Sequence, residues 1–251
     1  MFSGRREARA AVLAELKHKT ISSARYASEG MAALQSAYPA DRSDQSDILS
    51  QAQAHFSGTV KSMAKRMDVD PPSAILFRGK LFNPLGAVTT LLDGAKNKHI
   101  IYLSYELWFS LEEQGRQWAV AHELSHVKHN DVRRAEKLEY GLVRMHLTNL
   151  LGDLIFNTSI RSMENRADEE ASKVADPSSG FLALLQSHAA LLGEDRSQIE
   201  ILDYVYQNRR MPSVSDGLAH RLSDAIVHLF KDDHAYIENR LRKLLKFSLR
   251  G

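Results

Sequence analysis

From Trp118 to Val127 the chain reads WAVAHELSHV, a run in which Glu123 is the sole formal charge and His122 and His126 stand four residues apart. On a helix, positions four apart lie on one face about one turn from each other. Val120, Ala121, Leu124, Ser125 and Val127 are all uncharged, so such a helix keeps no solvent face. The rest of the fold must therefore surround it and satisfy two imidazoles and a carboxylate in the interior.

Two histidines so placed can hold one ion. Glu123, adjacent to a ligand on the same helix, reaches a water beside the metal rather than the metal itself, which is the general-base geometry of a zinc hydrolase. A catalytic zinc needs a third protein ligand. His129 stands about 10 Å along the helix axis from His122, too far for one ion. Val132 occupies the position where metzincins carry a third histidine, and the chain has no cysteine, so thiolate ligands, disulfides and cysteine nucleophiles are excluded. Acids remain. The stretch SIRSMENRADEEASKVAD offers Glu164, Asp168, Glu169 and Glu170, of which Glu164 and Asp168 share a helical face. One can ligate while the other orients a histidine.

The 251 residues suit one large domain or two small ones, and a net charge of +2 from 33 basic and 31 acidic residues gives no reason to expect a nucleic-acid partner. Residues 1–68 read as an N-terminal helical region that ends before Pro71 and Pro72. A small sheet is expected over 73–104, from SAILFR, AVTTLL and HIIYLS. Ser110 and Glu113 have the spacing of a capping box that starts a metal helix over 111–130. A third-ligand helix over 160–175 and C-terminal helices over 181–251 complete an α+β, mostly helical chain. The stretch GLVRMHLTNLLGDLIFNTSI, residues 141–160, carries Arg144, His146 and Asp153, and its apolar residues recur at three and four, so it reads as a core helix rather than a membrane span. The N-terminus shows no apolar run of a secretory signal, and a cytoplasmic location is expected.

AVAHELSHVKHND followed by SMENRADEEA resembles the gluzincin peptidases of metallopeptidase family 48, the HtpX and CAAX prenyl protease-like enzymes. NPLGAVTT, the strand and helix that follow it, and DHAYIENRLRKLL near the C-terminus are similar to further elements of that family, although Ala235 stands where the family usually has proline. The resemblance implies a zincin-like peptidase domain over 69–251, with the small sheet packed on the metal-binding helices. It implies one zinc ion per chain, held by His122, His126 and Glu164, with Glu123 as general base. By the same resemblance His234 donates to the reacting carbonyl oxygen, with His220 a rival for that part, and Asp168 and Arg240 orient the ligands. A zinc metalloendopeptidase acting on peptides or proteins is the expectation, as a soluble member without integral membrane segments; no oligomeric state is read from the residues. The alternatives are a non-catalytic metal-binding regulator or scaffold of the same fold, and a surface adaptor acting through the basic, amphipathic tail NRLRKLLKFSLR.

Overall fold

A computed structural model describes residues 2–36, 45–77, 85–92, 96–146, 150–192 and 233–248. Two long helices come first, α1 (Phe2–Ser36) and α2 (Gln45–Met67). Asp68 closes α2 with a left-handed φ of 55°, Val69 N–H reaches back to the Ala64 carbonyl, and the prolines that follow prevent continuation. Three strands come next, β1 (Ser73–Phe77), β2 (Leu85–Leu92) and β3 (Lys96–Ser104). The chain then runs through the short α3 (Tyr105–Ser110), α4 (Glu113–His129), α5 (Asp131–Arg144), α6 (Leu150–Val174), α7 (Pro177–Leu192) and α8 (Asp233–Ser248). The described residues form a mostly helical α+β structure.

The sheet has the order β1-β3-β2, with β3 parallel to β1 and antiparallel to β2. Register runs from Ser73 opposite Ile100 to Phe77 opposite Ser104 on one side, and from Leu85 opposite Leu103 to Leu92 opposite Lys96 on the other. Both outer strands are edges among the described residues, but they differ. Gln53 of α2 lays its amide along β1, donating to the Ala74 carbonyl and accepting from Leu76 N–H, both at 2.8 Å. That side chain does the work of a further strand and blunts the β1 edge.

Helix α4 runs through the centre and touches α2, α5, α6, α7, β2 and β3. Every residue from Trp118 to Val127 is buried, as a run without a charged face requires. The core joins Leu16 of α1, Phe56, Val60 and Met63 of α2, Leu124 of α4, Phe181 and Leu185 of α7, and Leu241 and Leu244 of α8. Burial of Leu241, Leu244 and Leu245 commits the apolar stripe of the C-terminal tail to the protein interior.

Two expectations are corrected. Ser110 does not cap the metal helix: its hydroxyl donates to the Leu107 carbonyl, Ser104 instead caps the short α3 by accepting from Leu107 N–H, and α4 begins at Glu113 behind Glu112 without a side-chain cap. The expected core helix over 141–160 is two helices. His146 sits in the left-handed region at φ 56°, α5 has ended at Arg144 and α6 starts at Leu150. Val143, Leu151 and Ile155 are consequently exposed, because a three-and-four spacing that spans a break does not make one face. Among the described residues no helix is long and apolar enough to cross a membrane.

Two glycines of opposite consequence test the packing. A Cβ on Gly180 would collide with the buried Trp118 indole, whereas one on Gly58 in α2 meets nothing. Gly58→Ala should raise stability by about 0.5–1 kcal/mol, and Gly180→Ala should lower it by about 1–3 kcal/mol, read from urea unfolding midpoints. Equal effects of the two would contradict the α4–α7 contact.

Candidate metal centre

His122 and His126 project from one face of α4, and Glu164 meets them from α6. The His122 and His126 Nε2 atoms are 3.2 Å apart. The Glu164 carboxylate straddles them, with Oε2 at 3.3 Å from His122 Nε2 and Oε1 at 3.3 Å from His126 Nε2. A tetrahedral ion with bonds of about 2.0–2.1 Å requires donors about 3.3–3.4 Å apart, so the donor triangle has the size of one face of such a site. These three residues form a possible metal-binding group, with one ligand atom from each lying within 4.8 Å of the others. The side chains of His122 and His126 are 7 and 11% exposed and that of Glu164 is 23% exposed, so among the described residues Glu164 is the least covered of the three.

The outer nitrogens explain why the inner ones face each other. His122 Nδ1 lies 3.0 Å from Asp168 Oδ1, and His126 Nδ1 lies 3.0 Å from Asp131 Oδ2. An ionised carboxylate only accepts, so both Nδ1 atoms donate and both Nε2 lone pairs turn inward. Arg240 of α8 grips Asp168 through Nε at 2.8 Å and Nη2 at 2.7 Å, and its Nη1 reaches Glu164 Oε2 at 2.9 Å. Trp118, one turn before His122, stacks on that imidazole at 5.4 Å between centroids.

Charge follows from this arrangement. Burial, the largest influence on His126, pulls its pKa down. Hydrogen bonds to Asp131 and Glu164 and the charges of Glu123 and Glu164 together outweigh it, and the imidazole rises to about 10. His122 is raised by the same contest, burial opposing hydrogen bonds to Asp168 and Glu164. Burial also acts to raise Glu164, but its bonds to both imidazoles and the Arg240 charge hold it well below the usual carboxylate range. Glu123 is 5% exposed, and burial lifts its carboxyl above the ordinary value although the two imidazoles oppose it. The centre thus favours positive charge on its imidazoles, while burial disfavours charge on the neighbouring Glu123 carboxyl.

The chain matches no protein-family model, no curated protein and no solved structure.

Of the residues singled out in the sequence, the structure brings together His122, Glu123, His126, Glu164, Asp168 and Arg240. His129 stays apart and pairs with Glu170 at 2.8 Å, while Ser125 donates to the other Glu170 oxygen at 2.9 Å. Glu169 is exposed and pairs with Lys173. His234 falls in the first turn of α8, where the backbone alone is described, and His220 lies outside the described residues. Sequence pattern did not single out Asp131 or Arg166, which meet at 2.5 and 2.6 Å beside His126. The available signal was Asn130, a residue suited to the left-handed turn that folds Asp131 back beneath the preceding helix.

Chelated protein should report these charges. His126 is raised from 6.5 to about 10 on folding, so its contribution to stability is complete below pH 6.5 and is lost as pH rises toward 10. Glu164, Asp131 and Asp168 are depressed, so theirs holds above about pH 4.5 and is lost as pH falls through the folded values. Urea midpoints of metal-free protein should be lower at pH 9.5 than at pH 6.5. With a bound cation at the centre, the alkaline decline should shrink.

Proposed function

We propose that this chain is a zinc-dependent metalloendopeptidase of the gluzincin type, with a zincin-like fold resembling metallopeptidase family 48. The observation that supports it most is the donor triangle of His122, His126 and Glu164 with the buried Glu123 beside it. A scaffold that only stores metal has no use for a raised carboxyl at that place. Imidazole and carboxylate donors suit zinc, and His122, His126 and Glu164 would hold it.

Zinc, when bound, supplies Lewis acidity toward water and a peptide carbonyl. The protein supplies the rest. Glu123 accepts the proton of the attacking water and later delivers it to the leaving amine, and its raised pKa brings it closer to working pH. Asp168 and Arg240 keep His122 and Glu164 in place through the cycle. By resemblance His234 donates to the carbonyl oxygen; the anchoring of Arg240, six residues on in α8, keeps His234 within about 9 Å along the helix axis.

The substrate would lie extended along β2, adding a strand through backbone hydrogen bonds. Two features favour that edge: Gln53 occupies the β1 edge, and β2 contacts the metal helix α4. Recognition through backbone groups tolerates many side chains, which suits an unfolded or extended protein segment as substrate.

Glu123→Gln should keep its metal and its fold while cleavage of an unfolded protein falls by about 10²–10⁴-fold or more. Glu164→Ala should lose the metal, whereas Glu169→Ala on the exposed flank of α6 should keep it. A Glu123→Gln protein that cleaves as fast as the parent would end the peptidase reading.

A further inference from the structure

The two imidazoles are held by two separate arms of the same chemical make-up. In the first, His122 of α4 donates to Asp168 of α6, which Arg240 of α8 clamps. In the second, His126 of α4 donates to Asp131, the first residue of α5, and Arg166 of α6 clamps that. From this doubling we infer that Asp131, fixed by Arg166, is a positioning residue for the metal ligand His126, and that the left-handed turn at Asn130 belongs to the metal centre. The inference rests on the metal-centre reading and extends it to residues that make no contact with an ion.

The Asp131 carboxylate is committed to this task. An acid at the start of a helix ordinarily caps it or complements its dipole, yet α5 has no side-chain cap. Asp131 is instead 3% exposed and turned back toward α4. The turn makes this possible: Asn130, at φ 56° and ψ 41°, bonds its N–H to the His126 and Val127 carbonyls and ends the helical path one residue before Asp131. A helix that ran on through residue 131 would carry Asp131 away, because positions five apart are about 140° apart around the axis.

The arms differ in construction. Arg240 grips Asp168 with two nitrogens, a side-on fork. Arg166 uses Nη2 alone, bonded to both Asp131 oxygens, while its buried Nε has no hydrogen-bond partner among the described residues and its side chain is 31% exposed. The second arm is therefore the more loosely held. A carboxylate bonded to Nδ1–H fixes the tautomer that turns Nε2 to the ion and makes the nitrogen a stronger donor, and loss of such a partner typically weakens metal binding about 10–100-fold.

The rival account makes Asp131 a tie between α5 and α6 and nothing more. Competition with a chromophoric chelator for Zn2+, and the absorption spectrum of the Co2+-substituted protein, separate the two, because a structural tie alters neither once the chain is folded. The parent is titrated first. Failure of the parent to bind Zn2+ sinks the metal centre and this inference with it. If the parent binds, Asp131→Ala should hold Zn2+ about 10–100-fold more weakly and shift the Co2+ bands, and Asp131→Asn, which keeps an acceptor for Nδ1–H, should lose less. Should Asp131→Ala fail to fold, Arg166→Met, at a half-buried position of α6, carries the test, with an expected loss of about 10-fold. Folded variants that bind Zn2+ as tightly as the parent, with an unchanged Co2+ spectrum, would overturn the role of Asp131 and leave the metal centre standing.

Discussion

Two imidazole nitrogens 3.2 Å apart, each turning a lone pair toward the other and toward a carboxylate, repel unless positive charge lies between them. The protein could relieve this by rotating either ring, and it does not. Carboxylates on both outer nitrogens prevent the rotation, and an arginine behind each carboxylate prevents those from moving in turn. Without metal, protons must supply the missing charge, which is why both imidazoles hold theirs above the ordinary value, His126 up to about 10. A divalent cation does the same more completely, since it neutralises two lone pairs and a carboxylate at once.

Much of the remaining architecture serves this arrangement. Helix α6 contributes Glu164 to the centre, Asp168 to one arm and Arg166 to the other, so its register on α4 sets all three. The Ser125–Glu170–His129 cluster further along the same contact ties α4 to α6 and makes slippage costly. Helix α8 is held to α6 by Lys243 on Asn165 as well as by Arg240, and its leucines are seated in the core. Gly180 lets α7 come close enough to hold Trp118 against His122. Among the described residues the packing thus leaves Glu164 as the least covered member of the possible metal-binding group.

What the sequence revealed of this centre depended on how local each relation was. His122 and His126 could be paired because four residues on a helix is one turn, and Glu164 and Asp168 could be placed on one face for the same reason. The central helix was legible from its lack of charge, and the strands from their β-branched runs. Arg240 belongs to a helix far along the chain, and a family resemblance, not any spacing, pointed to it. Asp131 was passed over because its contact depends on a single left-handed residue, Asn130, that undoes the helical period on which the reading relied. A similar interruption at His146 turned an expected core stripe into exposed residues on two helices. The strand order, with β3 between its partners, also had no local signature, since it depends on where the chain crosses rather than on what the strands contain.

The central claim is that the buried donors exist to hold one catalytic metal ion. Elemental analysis of the purified protein, coupled to digestion of an unfolded protein substrate with and without a chelator, tests this directly. The account predicts one zinc per chain, cleavage that stops on chelation, and recovery when one equivalent of zinc is returned. A well-folded chain that takes up no divalent ion, or one whose cleavage is indifferent to the chelator, would contradict it.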